Sequence, residues 1–414
     1  MVIVFPKKHE YVYLAIALMY VSVVIDLAGS LVGVNFPLLK YALLFFALVF
    51  YIKGILQTKV SARLIAPGIL MVFRFFLGWS IIMVLMSFDK IIAPDNNYIN
   101  FKIIISGKLF ISTIPFIIFS NPSEYLVKKC LKIAFFLCIV LLVIVPPLIF
   151  FNQREYFEIY GVIFGGGVSI LVLTYLYHSK TVRWISFFSL FMILFINAVN
   201  ARRNQFLFFG SVLFFTGLIP LLSQSSFVRK RKKLIIAGIL SFCFLIFLFV
   251  LLNINNFSYL VERSKTGVES REDFLEEFYQ DFNDHPTDWI TGRGVLGDFK
   301  STIYEKGSDN ESRAVIETAY LDHIMRGGYI YLFFLVIITL PAIFMGFFRS
   351  NNILCKAFAA IILINFIDMV GFGIPALSLK YLLIWIGVSV CYSRQMRSYS
   401  DEYFKKAIGL KIFI

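Results

Sequence analysis

The chain has 414 residues, of which 59% are hydrophobic, 18% aromatic and only 15% charged. A soluble domain must keep enough polar residues to cover its outside, so this balance excludes a cytosolic enzyme, a secreted disulfide scaffold and a disordered chain. The net charge of +14 reads as the Lys and Arg excess of cytoplasmic loops in a membrane protein, and no nucleic-acid partner is expected. Only helices and closed barrels satisfy their backbone hydrogen bonds in lipid. The apolar runs are continuous rather than alternating, which excludes a barrel. The expected fold class is therefore all-α, a polytopic protein of the lipid bilayer.

Spans of roughly 20 apolar residues are predicted near 11–30, 37–56, 66–88, 101–119, 131–151, 159–177, 184–200, 205–223, 234–253, 318–347, 353–371 and 376–392. The first run is of full length and lacks a small-residue cleavage site, so it is expected to stay as a helix. In the sixth, Gly165, Gly166 and Gly167 suit the close approach of a neighbouring helix or a lipid. Cys130, Cys138, Cys243, Cys355 and Cys391 all sit in or beside apolar runs and read as small buried hydrophobes. The organisation expected is about 12 transmembrane helices: nine spans in 1–253, one large outer loop in 254–316, and three spans with a cytoplasmic tail in 317–414.

With the N-terminus placed inside, every inner segment is basic, most strongly at Arg229-Lys230-Arg231-Lys232-Lys233, and both termini fall in the cytoplasm. One exception is the pair Arg202-Arg203, which falls in an outer turn. The other is 254–316, the one long hydrophilic stretch, which holds about half of the chain's acidic residues. There, Ser270 with Asp273 can cap a helix. Phe274, Leu275, Phe278, Tyr279 and Phe282 then share one face, with Glu272, Glu276, Glu277 and Asp281 opposite, and Pro286 closes the segment. This amphipathic helix either lies across the mouth of the bundle or is a lid that only packs. After it, Gly292, Gly294 and Gly297 make a tight loop. Its backbone N–H groups are candidates to face an anion, although a plain turn is the more common outcome.

For chemistry, no P-loop and no Asp-x-Asp pair is present, and His9, His178, His285 and His323 are scattered away from cysteine. An enzyme of this sequence is expected to work without cofactor or metal. Arginine stands out on the outer side: Arg202, Arg203, Arg271, Arg293 and Arg326. Its planar fork suits phosphate, though Arg202 and Arg203 also fit lipid headgroups. The run Glu317-Thr318-Ala319-Tyr320-Leu321-Asp322-His323-Ile324-Met325-Arg326-Gly327-Gly328 opens the tenth span. In it Glu317 and His323 are general-base candidates, and Asp322 with Arg326 at i, i+4 has the spacing of a salt bridge. Asp26, Arg74, Lys108 and Asp368 lie inside predicted spans, where each costs about 2.5–3.5 kcal/mol at a helix centre.

Three local features resemble the Wzy-type O-antigen polymerases, which share an architecture with O-antigen ligases. They are Asn200-Ala201-Arg202-Arg203-Asn204 at the outer end of a span, Ser270-Arg271 followed by Trp289 and Gly292-Arg293-Gly294, and Glu317 through Gly328. The likeness covers about 190–347, and Glu317 stands where ligases have histidine. The resemblance implies a GT-C-like membrane glycosyltransferase of the bacterial inner membrane with a periplasmic active site. It would join oligosaccharide repeat units carried on undecaprenyl pyrophosphate by metal-independent, inverting transfer. In that reading Arg202, Arg203, Arg271 and Arg293 bind pyrophosphate, Glu317 or His323 is the base, and Tyr320, Gly292, Gly294 and Arg326 line the substrate. A chain-length regulator and a flippase are the implied partners. An O-antigen ligase and a lipid-linked oligosaccharide flippase or other transporter are the alternatives.

Overall fold

The computed structural model describes residues 10–32, 36–57, 67–88, 90, 109–119, 123–150, 157–199, 203–222, 270–301, 312–314, 316, 318–371 and 378–410. Nearly all of this is helix. The helices are α1 (Glu10–Val32), α2 (Pro37–Gln57), α3 (Pro67–Met86), α4 (Leu109–Thr113), α5 (Glu124–Phe150), α6 (Phe157–Leu173), α7 (Lys180–Val199) and α8 (Arg203–Leu222). They continue with α9 (Ser270–Asp284), α10 (Pro286–Thr291), α11 (Ala319–Phe348), α12 (Ile353–Asp368), α13 (Leu379–Tyr392), α14 (Arg394–Ser398) and α15 (Asp401–Ile408). The short strands β1 (Phe299–Lys300) and β2 (Ser312–Arg313) pair antiparallel.

Among the described residues, five helices are long and apolar enough to cross a bilayer: Pro37–Gln57, Gly68–Met86, Lys180–Asn197, Asn204–Leu222 and Ala319–Phe348. Shorter apolar helices occupy Glu10–Ile25, Leu109–Ile118, Ile163–Leu173 and Leu379–Tyr392. The predicted span at 234–253 and the basic run 229–233 lie outside the described residues, as does 101–108. The remainder of the predicted fourth span is α4 and then a 3-10 turn over Ile114–Phe119. Pro115 lacks a backbone N–H and favours this tighter continuation. The junction of α4 and this turn is held inside the bundle from two sides. Tyr51 donates to the Ile114 carbonyl at 2.6 Å and Tyr381 to the Ile111 carbonyl at 3.0 Å.

The main core runs from α1 and α2 through α3, α5, α6, α7, α8, α11, α12 and α13. Its densest part is aromatic: the Phe76 ring lies 5.3 Å from Trp385 and 4.9 Å from Tyr331. The glycine run of α6 faces helices, not lipid. A Cβ on Gly165 would meet Phe209, and one on Gly166 would collide with the Lys380 backbone nitrogen. Cys130, Cys138, Cys355 and Cys391 are buried and free, and Cys243 lies outside the described residues.

A second, smaller core sits under α9. Phe278, Phe282 and Phe299 pack with Ile316 and with Ile324 and Met325 of α11. Each fully buried phenylalanine contributes about 2–3 kcal/mol. The helix keeps the predicted face, with Phe278 and Phe282 buried and Phe274 and Leu275 half-buried, but Tyr279 is exposed. Asp281, expected on the polar side, is also buried, because it meets the guanidinium of Arg293. The amphipathic helix ends at Asp284, just before Pro286 as expected, and Pro286 then opens α10, since a proline at the first helical position loses no hydrogen bond.

At the opposite end of the bundle a clasp closes the chain. The Tyr177 hydroxyl donates to Asp401 at 2.5 Å, and Asp401 also accepts from the Ile353 N–H at 2.7 Å. The Leu354 N–H donates to Tyr177 at 3.1 Å, so one carboxylate and one phenol cap the start of α12. His178 sits beside the clasp, 3.0 Å from the Thr174 hydroxyl, and accepts from the Leu410 N–H at 3.3 Å.

Candidate functional site

The helix α11 is broken at Gly328, which takes φ 66° and ψ −172°. A break strips the carbonyls just before it of their helical partners. The glycine-rich loop supplies new ones: Arg293 N–H donates to Met325 O at 2.8 Å and Gly294 N–H to Arg326 O at 2.9 Å. The Trp79 indole donates to Gly327 O at 2.8 Å. The loop also reaches α3, where Val295 N–H donates to Met83 O at 3.1 Å and Leu296 N–H to the Ser87 hydroxyl at 3.0 Å. So the N–H groups that are candidates to face an anion bond to carbonyls instead, and the loop is the structural turn that is the more common outcome. Glycine is needed because the two backbones touch. A Cβ on Gly292 would lie 2.5 Å from the Arg326 carbonyl carbon, and one on Gly328 would run into Ile290 O.

Two of the sequence-selected arginines are built into this knot. Arg293 forms ion pairs with Asp281 at 2.5 Å and Asp288 at 2.6 Å, donates to Asp298 O at 2.8 Å, and lies 4.5 Å over the Phe282 ring. Partial burial opposes its charge, but the hydrogen bonds and charges of Asp281 and Asp288 outweigh that and raise its pKa. Arg293 is therefore what brings Asp281 inside. Arg326 is 2% exposed, pairs with Asp322 at 2.7 Å, and donates to the carbonyls of Val295 and Ala314. These contacts hold both guanidinium groups in place, although the Arg326 Nε has no hydrogen-bond partner among the described residues. The i, i+4 salt bridge is present as its spacing suggested.

Beside the knot, four helix ends meet at one corner of the bundle. Asn204, next to Arg203 at the start of α8, donates to the Gly371 carbonyl after α12. The Ala319 N–H at the start of α11 donates to Met369 O at 3.0 Å. Tyr320 donates to Phe366 O at 2.5 Å. At the start of α13, Lys380 forms an ion pair with Asp368 and lies 4.0 Å over the Phe208 ring. Beneath this corner is a cavity of about 30 Å³, room for about two waters. It is lined by His323, Asn365, Asp368, Lys380, Tyr381 and Trp385 among apolar neighbours. His323 is 2% exposed and stacks on Tyr331 at 5.2 Å, and its Nδ1 has no hydrogen-bond partner among the described residues.

The predicted residues thus separate into groups. Arg293, Arg326, Gly292 and Gly294 form the knot. Tyr320 and His323 belong to the corner and its cavity. Arg203 lies in the first turn of α8 at that corner, and Arg271 in the first turn of α9. Arg202 and Glu317 lie outside the described residues, Glu317 two positions before Ala319. Among the described residues no three His, Cys, Asp or Glu side chains are grouped to hold a metal ion. Hydropathy marks Asp368 as an intramembrane charge but does not single out Lys380, at the start of the predicted span 376–392. It passes over Asn365, Tyr381 and Trp385, of which only Asn365 leaves a trace, a carboxamide three residues before a carboxylate in an apolar helix.

No protein-family model, curated protein or solved structure matches this chain.

Proposed function

We propose that the protein is a membrane glycosyltransferase that polymerises oligosaccharide units carried on a polyprenyl pyrophosphate, in the manner of the Wzy-type polymerases it resembles. The twelve-span arrangement, with both termini cytoplasmic and the site periplasmic in a bacterial inner membrane, belongs to this reading. The supporting observation is the corner itself. The helix start that carries Arg203 and the helix start just after Glu317 are both tied to the turn that follows α12, and Ala319 and Met369 of that junction line the His323 cavity. Cations and a base are needed together for such a transfer: arginine neutralises the departing pyrophosphate while the base takes the proton of the attacking hydroxyl. Arg202, Arg203 and Arg271 fill the first role, because Arg293 and Arg326 are held by carboxylates. Glu317 fills the second, with His323 as the alternative proton acceptor.

The test is reconstitution of the full chain with lipid-linked repeat units. Arg203→Ala and Glu317→Gln are each expected to cut polymer formation by about 100-fold or more at normal protein level. Full-length polymer from both variants would remove the assignment. A ligase would instead pass a single unit to a second lipid acceptor. One observation favours the transporter reading: a helix broken at Gly328 near a buried Lys380–Asp368 pair is an arrangement that transporters also use. Flux of a lipid-linked unit across the vesicle membrane, without any polymer, would select it.

A further inference from the structure

The exposed side chains of α11 form one stripe. Tyr329, Phe333, Ile337, Leu340, Phe344 and Phe348 succeed each other at intervals of three or four residues along a helix long enough to cross a bilayer. Such a stripe on a spanning helix faces acyl chains. It does not end at Tyr329. The Trp289 ring stacks on Tyr329 at 5.6 Å and 16°, and Tyr279 stacks on Trp289 at 5.8 Å and 21°. Ile290, beside them, is 55% exposed. The apolar row therefore leaves the spanning helix and continues onto α10 and α9.

The chemistry changes along this row. Around Tyr279 the other exposed side chains among the described residues of α9 are Glu276, Gln280, Asn283 and Asp284. The Trp289 indole N–H points the same way, donating to Asn283 Oδ1 at 3.3 Å. Apolar ring faces on one side and polar edges on the other match the headgroup level of a bilayer, where Trp and Tyr concentrate. The join is also rigid. Gly328 lets the α11 break pack against the Ile290 backbone, and Arg293 and Gly294 bond across it. The row cannot swing away from the stripe without opening the knot.

We infer that Tyr279, Trp289, Ile290 and Tyr329 form an interfacial anchor, seated at the headgroup boundary of the same leaflet whose acyl chains cover Phe333. The partner is lipid, because the patch is continuous with the lipid-facing stripe and is edged by carboxylates and carboxamides. The acidic face of α9 then stands just above the headgroups. This inference is independent of any enzymatic activity.

The experiment uses the full chain in phosphatidylcholine nanodiscs. Ile290→Cys, Gln280→Cys and Phe333→Cys are each labelled with an environment-sensitive fluorophore, the unsubstituted chain serving as background. Quenching is read with nitroxide placed at the headgroup, high on the acyl chain or deep on it, and with aqueous iodide. The label at Ile290 should be quenched best by the shallow lipid nitroxides, about threefold more than the label at Gln280. Phe333 should respond to the deeper ones and Gln280 to iodide. Tyr279→Cys gives a second reading from the same row. Iodide quenching at Ile290 equal to that at Gln280, with no lipid quenching, overturns the inference. So does protection from every quencher together with a doubled particle mass, which would assign the patch to a second copy.

Discussion

At the knot between α10 and α11, each arginine is matched by carboxylate: Arg293 by Asp281 and Asp288, Arg326 by Asp322. At the clasp on the far end, the carboxylate of Asp401 is met by a phenol and a backbone N–H. Both regions give partners to backbone groups that regular helical bonding leaves over. The knot does it with guanidinium forks, which reach several carbonyls at once but must be neutralised when buried. The clasp does it with one buried carboxylate, Asp401, whose charge is felt by the Lys356 ammonium. A buried arginine is therefore a weak sign of a ligand until the acids around it are counted.

The largest effect should come from the knot. Arg326→Ala leaves Asp322 buried without its partner and strips the Val295 and Ala314 carbonyls, at a cost of about 3–5 kcal/mol. Thermal unfolding in detergent measures it, and a shift no larger than that of an exposed site would deny the knot its structural weight.

The next is a pH effect at the clasp. Burial, and then the charge of Arg183, push the His178 pKa from 6.5 down to about 4. Above pH 6.5 the ring is neutral in both the folded and unfolded chain. Below it the unfolded chain takes up a proton that the folded chain refuses, so stability falls progressively towards pH 4, by up to about 3 kcal/mol. Comparison with His178→Phe over that range isolates the effect, because only the native histidine should show that slope.

Gly292→Ala should cost at least about 2 kcal/mol, since its φ of 74° and the α11 backbone both reject a methyl group. Hydrogen exchange at Arg293 and Gly294 should rise in the same variant if the loop is what caps the break. The mildest change is Tyr177→Phe, which removes one hydroxyl from the clasp and should cost about 1 kcal/mol. A loss as large as that of Arg326→Ala would erase the contrast between the two regions.

The helices are legible in the sequence because a spanning helix must be a long apolar run, and α2, α3, α8 and α11 fall close to their predicted positions. The inward face of α9 is legible too, through its phenylalanines. The ion partners are not. Asp281 lies twelve residues from Arg293, on what spacing alone marks as the wet side of α9. Nor does periodicity show that α11 is two helical pieces, since Gly327-Gly328 inside an apolar run looks like ordinary tolerance. The corner is half legible. Tyr320 and His323 stand out as polar residues at a span's edge, whereas Lys380 and Asp368 belong to different helices and meet only after folding.

The approach of α6 to α13 sets the dimensions of that corner in an unusual way. At Gly166 the spacing is fixed by a missing methyl: an added Cβ would come within 2.7 Å of the Lys380 Cα and closer still to its nitrogen. The two helices are shimmed by nothing, so any larger residue there is a wedge driven behind Lys380. A single extra carbon in α6, a helix that carries none of the proposed reacting groups, would tilt the first turn of α13 and pull the ammonium off its carboxylate.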